Sequence, residues 1–185
     1  GGDGGVVTTA IGLGSNLGDC RAQLEGALAI LASTEGVHLV GVSPWYRTRA
    51  VGPPQPDYLN GCALLETQLP APVLMELLLA IEIRFGRFRG ERWGARSLDL
   101  DLLFYGDRTF QTPTLQVPHP RLQERGFVLV PLAEIAPWWR HPASNHTVVE
   151  LLEAWHRQQL EGSMGSSGIV ESPPHAQPQI GRAHV

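Results

Sequence analysis

Leucine and aspartate alternate without a break from Leu98 to Leu102, and this alternation limits the local structure more than any other feature of the chain. Successive side chains of a β-strand point to opposite faces, so the leucines share one face while Asp99 and Asp101 share the other. The pattern predicts a strand, Ser97 to Tyr105, with one apolar face and one acidic face.

Strand-like and helix-like apolar patterns alternate before this strand. Asp19 is the expected N-cap of a first helix, and Pro72 suits the first turn of a second. The predicted elements are strand Val6 to Leu13, helix Asp19 to Ala32, strand Val37 to Thr48, strand Leu59 to Thr67, helix Pro72 to Phe85 and the acidic strand. This order, β-α-β-β-α-β, predicts a ferredoxin-like α+β fold with two helices on one face of an antiparallel sheet.

The chain continues beyond this unit, and its composition changes at Glu161. We expect a hairpin at Thr109 to Val117, a loop at Pro118 to Arg125, a mixed segment at Phe127 to Ile135 and a helix from Thr147 to Leu160. From Glu161 onward large apolar residues are too scarce to offset the ordering entropy of the chain. We therefore expect one domain over residues 6–160 and a disordered tail over 161–185. Part of the tail is expected to be an artefact, because residues 180–185 resemble a translated sequencing adapter.

Composition excludes several classes of function. All 14 basic residues are Arg, so a P-loop and Schiff-base chemistry, which need Lys, are excluded. A net charge of -4 argues against duplex nucleic acid as a partner, and no apolar run is long enough for a membrane span. Cys20 and Cys62 lack metal or disulfide spacing, which favours a reducing, cytoplasmic location and leaves an organelle as the alternative. We expect a monomer.

Five of the arginines lie in a glycine-containing stretch just before the acidic strand. They are Arg84, Arg87, Arg89, Arg92 and Arg96. Paired carboxylates suit Mg²⁺, which takes oxygen ligands together with substrate phosphates, and guanidinium groups suit the remaining phosphate oxygens. A nucleotide polyphosphate explains both features. The alternative is an amphipathic strand with a solvated polar face, partly paired with the basic loop.

The segment from Gly12 to Gly18 resembles a dinucleotide-binding fingerprint but fails it by one residue. The third glycine of G-x-G-x-x-G would fall at Leu17, and the repeated β-α-β units of a parallel sheet are missing from the pattern. We expect a tight turn that needs glycine for its backbone.

A set of aromatic and amide side chains suits a flat heterocyclic ligand, since rings stack on it and an amide donates and accepts at its edge. The set is Tyr58, Asn60, Trp93 and Phe127. The alternative is that each belongs to the core or caps a strand. His119, between two prolines, either binds a phosphate or packs, and Glu82 alone reads as a surface carboxylate paired with Arg.

Six strings of the sequence together resemble the 6-hydroxymethyl-7,8-dihydropterin pyrophosphokinase family of folate biosynthesis, over about residues 7–157. The strings are Ala10-Ile-Gly-Leu-Gly-Ser-Asn16, Tyr46-Arg-Thr48, Gln55-Pro-Asp-Tyr-Leu-Asn60, Glu91-Arg-Trp-Gly-Ala-Arg-Ser-Leu-Asp-Leu-Asp101, Val117-Pro-His-Pro-Arg121 and Arg125-Gly-Phe127. The fourth is highly specific, because it joins an acidic pair, an arginine clamp and a tryptophan.

The resemblance implies transfer of the β,γ-diphosphoryl group of ATP to the pterin hydroxymethyl oxygen, with release of AMP. It implies that Asp99 and Asp101 bind two Mg²⁺ ions and that Arg87 and Arg96 form the catalytic clamp. Implied ATP contacts are Glu82, Arg92, Arg96, Leu102, His119 and Arg125. Implied pterin contacts are Gly14, Thr48, Val51, Tyr58, Asn60, Trp93 and Phe127. Two loops, Arg49 to Pro56 and Gly86 to Gly94, would close over both substrates.

Two rival functions come from other classes. A ferredoxin-like RNA-binding module would expose paired aromatics in a K/R-G-F/Y-G/A-F pattern, which the sequence does not contain. A dinucleotide-binding oxidoreductase is disfavoured by Leu17.

Overall fold

The computed structural model describes residues 5–49, 54–86 and 98–165. Within them, seven strands and four helices keep the predicted order, except that one predicted strand is divided in two and the mixed segment is a helix. The elements are β1 (Val7–Ser15), α1 (Cys20–Ala32), β2 (Val37–Val42), β3 (Tyr46–Thr48), β4 (Tyr58–Thr67), α2 (Ala71–Arg84), β5 (Asp99–Tyr105), β6 (Phe110–Thr112), β7 (Leu115–Val117), α3 (Gly126–Ile135) and α4 (Val148–Gly165), with a 3-10 turn at Leu122–Glu124. No helix among the described residues is long and apolar enough to cross a membrane.

The main sheet is antiparallel, with strand order β2-β4-β1-β5 and with β3 also paired to β4. This order confirms the ferredoxin-like arrangement. It also places the acidic strand beside β1 and one strand away from β4, so residues from three separate parts of the chain meet on one sheet surface.

One face of the sheet carries the core covered by α1 and α2. Ile11, Leu100 and Leu102 point into it, together with Leu28 of α1 and Leu78 of α2. The Asp19 carboxylate caps α1 as expected, by accepting a hydrogen bond of 3.1 Å from the backbone N–H of Ala22.

A second core lies on the opposite face, which the sequence did not predict to be covered by helices. Ala10, Leu64 and Phe104 of the sheet pack there against Leu129 of α3 and Leu151 of α4. The mixed segment is thus a helix, although it contains a proline. Helix α4 continues to Gly165, past the predicted end at Leu160, while residues 166–185 lie outside the described part of the chain.

The single strand predicted from Val37 to Thr48 is divided in two. Pro44 has no N–H for the ladder, and the Ser43 hydroxyl instead accepts a 2.9 Å hydrogen bond from the backbone N–H of Cys62. Trp45 then packs over Gly61, where an added Cβ would lie 2.5 Å from its ring. The break between β2 and β3 therefore depends on contacts with β4.

Candidate functional site

The acidic pair lies on one face of β5. Asp99 and Asp101 are half-buried, whereas Leu100 and Leu102 are 2% and 4% exposed in the core beneath the helices. The alternation predicted from the sequence is confirmed. It also turns the side chain of Leu102, a predicted ATP contact, away from the acidic face, so that side chain is not available to a ligand there.

The glycines of β1 form the floor beside this pair. Gly12 lies opposite Asp101 and Gly14 lies opposite Asp99 in the antiparallel register. The tight turn predicted for Gly12 to Gly18 is restricted to the end of that segment, because β1 runs through Gly12 and Gly14 to Ser15. Of these three glycines only Gly18 has a positive φ, of 77°. Gly12 and Gly14 instead leave the sheet surface without side chains next to the carboxylates.

Asn60 continues the same row on the other side of Gly14. Its register partner on β1 is Gly14, and an added Cβ at Gly14 would lie 2.7 Å from the Asn60 side-chain oxygen. The Asn60 amide donates a 3.0 Å hydrogen bond to the hydroxyl of Thr48, whose register partner is Tyr58. The predicted pterin residues Gly14, Thr48, Tyr58 and Asn60 are therefore neighbours.

Arg125 connects the acidic strand to Phe127. One guanidinium nitrogen lies 3.4 Å from a carboxylate oxygen of Asp101, and the group lies over the Phe127 ring, 4.8 Å from its centre. A second guanidinium nitrogen is 2.5 Å from Nε2 of His119. Three residues predicted as ligand contacts thus lie together, and Arg125 joins them to Asp101.

The His119 ring is neutral in this arrangement. Burial and the neighbouring Arg125 charge lower its pKa to about 4. A guanidinium group can only donate, so Nε2 must accept, which requires the uncharged ring. His119 thereby helps to orient Arg125 without adding a second positive charge of its own.

Glu82 is not the surface carboxylate that its sequence context indicates. It is 2% exposed at the end of α2, and its carboxylate accepts a 2.6 Å hydrogen bond from the backbone N–H of Leu100. Leu100 lies between Asp99 and Asp101, so the described contact of Glu82 ties α2 to the acidic strand at that point.

Two further contacts were not predicted. Asn16, 1% exposed, donates 3.0 Å hydrogen bonds to the side chain of Gln55 and to the carbonyl of Pro56, and so anchors the loop that precedes β4. Tyr46 donates its hydroxyl hydrogen bond to Glu134 of α3, and burial together with that carboxylate raises the Tyr46 pKa. Both residues belong to strings that carry the family resemblance, which was the available signal.

Several predicted site residues lie outside the described part of the chain. They are Val51, Arg87, Arg89, Arg92, Trp93 and Arg96. Most of the two loops predicted to close over the substrates also lies outside it.

The described residues can bind a divalent ion only when a bound substrate supplies further oxygen ligands to it. Within residues 5–49, 54–86 and 98–165, no group of three or more His, Cys, Asp or Glu side chains could hold a metal ion. Two adjacent carboxylates on one half-exposed face are nevertheless the usual protein share of a Mg²⁺ site, in which substrate phosphates and water supply the other oxygens.

Comparison with known proteins gives a consistent result. A family model for 7,8-dihydro-6-hydroxymethylpterin-pyrophosphokinase (HPPK) matches residues 10–137. The 2-amino-4-hydroxy-6-hydroxymethyldihydropteridine pyrophosphokinase of Synechocystis sp. is 54% identical over 143 residues, covering 77% of this chain and 73% of that protein. The protein of the same name from Pseudomonas aeruginosa is 43% identical over 157 residues, covering 84% of this chain and 96% of that protein.

Solved structures agree on the fold. A Plasmodium falciparum HPPK-DHPS chain crystallised with pterin and p-hydroxybenzoate superimposes with a TM-score of 0.69 at 14% identity. The match covers 89% of this chain and 46% of that one, so the present chain spans about half the length of the solved structure. At this identity the likeness shows the fold alone.

Proposed function

The chain belongs to the 7,8-dihydro-6-hydroxymethylpterin-pyrophosphokinase family, and from this membership we propose how it acts. It transfers the β,γ-diphosphoryl group of ATP to the hydroxymethyl oxygen of 6-hydroxymethyl-7,8-dihydropterin, a step of folate biosynthesis. The bond from the β-phosphorus to the α,β-bridging oxygen breaks, a bond from the β-phosphorus to the hydroxymethyl oxygen forms, the hydroxyl proton is released, and AMP leaves.

The row Asn60, Gly14 and Asp99 across three adjacent strands supports this proposal most directly. Adjacent strands are spaced so that the two outer backbone positions are about 10 Å apart. A pterin ring held at Asn60 and a triphosphate held at Asp99 would meet above Gly14, which has no side chain to separate them.

The protein's contribution is positioning and charge neutralisation, because transfer of this kind needs no protein nucleophile. Asp99 and Asp101 hold the phosphate-binding end of the site, and Mg²⁺ bound there would supply neutralisation of the developing phosphate charge. Arg125 is already oriented beside Asp101 by the neutral ring of His119. Its guanidinium group suits the phosphate oxygens of ATP.

Roles for residues outside the described ranges follow from the family resemblance. In this proposal Arg87 and Arg96 clamp the transferring group, Arg92 contacts ATP, and Val51 and Trp93 line the pterin pocket. Tyr58 and Phe127 stack on the pterin ring while Asn60 hydrogen-bonds its edge. Glu82 acts through β5, since its described contact is the Leu100 backbone.

We further propose that residues 6–160 form one catalytic domain that acts as a monomer in the cytoplasm. Both cysteines are free thiols, Cys20 half-buried and Cys62 buried, which suits a reducing compartment.

Product analysis tests the reaction directly. The chain is incubated with ATP labelled at the β-phosphate, Mg²⁺ and the hydroxymethyl pterin, and the products are separated by chromatography. We expect AMP and labelled pterin diphosphate in equal amounts. Formation of ADP, or of AMP without a pterin product, would overturn the proposal, and Asp99→Asn serves as the inactive control.

A further inference from the structure

Gly126 lies between two residues proposed to contact the substrates, Arg125 and Phe127, and a tryptophan of α4 occupies the space beside it. A Cβ added at Gly126 would lie 2.2 to 2.5 Å from three atoms of the Trp155 indole. Real Cβ atoms do not approach heavy atoms so closely, so the indole fits only because position 126 has no side chain.

The backbone at Gly126 determines where both neighbours point. Gly126 is the first residue of α3, and the carbonyl of Arg125 accepts hydrogen bonds of 2.9 Å from the N–H groups of Val128 and Leu129. These hydrogen bonds fix the backbone of Arg125, whose guanidinium group lies 3.4 Å from Asp101 and over the Phe127 ring. A shift of the backbone here would move an ATP contact and a pterin contact together.

Trp155 is well supported for such a role. It is half-buried and packs against the second core, and α4 is held there by Val148, 0% exposed, and Leu151, 7% exposed. Trp155 lies beyond residues 10–137, the part matched by the family model. The family match therefore assigns it nothing.

We propose that Trp155 is a positioning residue for the transfer reaction. Its indole, packed against Gly126, holds the Arg125 guanidinium group beside Asp101 and over the Phe127 ring. This inference rests on the proposed function. It predicts that the fit between positions 126 and 155, rather than the stability of α4 as such, controls substrate affinity.

The test uses the full chain and five variants: Trp155→Ala, Trp155→Phe, Gly126→Ala, the double variant Gly126→Ala/Trp155→Ala, and the control Val148→Ala. Val148 is a buried residue of the same helix, two turns from Trp155 and therefore about 10 Å away along its axis. Melting temperature, kcat and the KM for each substrate are measured. Calorimetry with α,β-methylene-ATP and the pterin gives affinities that do not depend on turnover.

We expect Trp155→Ala to raise KM and the dissociation constants at least fivefold, and Trp155→Phe to stay within about twofold of wild type because it keeps a flat ring. Gly126→Ala should weaken substrate binding at least tenfold in the wild-type background. In the Trp155→Ala background Gly126→Ala should weaken substrate binding less than threefold, because the indole no longer occupies the space beside position 126. Val148→Ala should lower the melting temperature without changing KM.

Two results would overturn the inference. One is a Trp155→Ala chain that melts lower but keeps wild-type KM, as expected of the control. The other is an equal loss of substrate affinity on Gly126→Ala in the wild-type and the Trp155→Ala chains. If Trp155→Ala does not fold, Gly126→Ala alone decides, because wild-type affinity for both substrates in that variant would overturn the inference. A wild-type chain that neither binds nor converts the substrates refutes the proposed function, whereas an active wild type with unresponsive variants refutes only the role of Trp155.

Discussion

Replacing Gly14 with Ala should damage pterin binding selectively. The new Cβ would lie 2.7 Å from the Asn60 side-chain oxygen, whereas ordinary contacts begin near 3.4 Å, so the amide must move. Its 3.0 Å hydrogen bond to the Thr48 hydroxyl would then be lost. Asn60 is 7% exposed, and a buried polar group left without its partner costs about 1–3 kcal/mol.

Pterin binding requires the Asn60 amide in its original position, so restoring it should raise the KM for the pterin by about 5- to 150-fold, since 1.4 kcal/mol is about tenfold. Steady-state kinetics with each substrate varied in turn measures the effect, and the KM for ATP should change little. Gly12→Ala is the matched control. It lies on the same strand and face, but its Cβ would meet the Leu103 methyl groups at 3.7 Å, an ordinary contact. An unchanged pterin KM in Gly14→Ala, or an equal loss in Gly12→Ala, would refute the reasoning.

Three other perturbations have distinct expected outcomes. Glu82→Ala should lower the free energy of unfolding by about 1–3 kcal/mol, because the Leu100 N–H loses its buried acceptor. Glu82→Gln keeps an acceptor and should lower the free energy of unfolding less. Equal losses for the two variants in urea denaturation would contradict this. Since the His119 pKa falls from 6.5 unfolded to about 4 folded, its neutral form contributes stability that is present above pH 6.5 and is lost as the pH falls toward 4. His119→Gln should therefore show a shallower loss of melting temperature over that window, and an unchanged slope would argue against the buried neutral ring. Arg87→Ala should lower kcat more than it raises KM, as expected of a group that acts in the transition state, and equal effects on both would indicate a docking contact instead.

The acidic strand shows what the sequence alone can predict. The strict alternation around Asp99 and Asp101 is a local property, so it determined both the strand and the shared face of the two carboxylates. The element order likewise predicted the sheet topology. The residue strings predicted the family, which the comparisons confirm.

Features that depend on partners distant in sequence were not predictable. Gly14 reads as a turn glycine until Asn60 is placed across the strand from it. Glu82 reads as a surface carboxylate until the Leu100 N–H is found beside it. Pro44 is a local signal for the division of one predicted strand into β2 and β3, but the contacts of Ser43 and Trp45 with β4 could not be predicted from the local sequence.

In the proposed reaction Asp99 and Asp101 would together hold the divalent ions that bind the triphosphate of ATP. Counting bound Mn²⁺ by electron paramagnetic resonance, in the presence of α,β-methylene-ATP, tests it most directly. We expect two ions for each wild-type chain and a loss of at least one in both Asp99→Asn and Asp101→Asn, with the melting temperature of the ligand-free protein preserved. If either variant retains both ions with unchanged affinity, these carboxylates are not the metal ligands and the account is wrong.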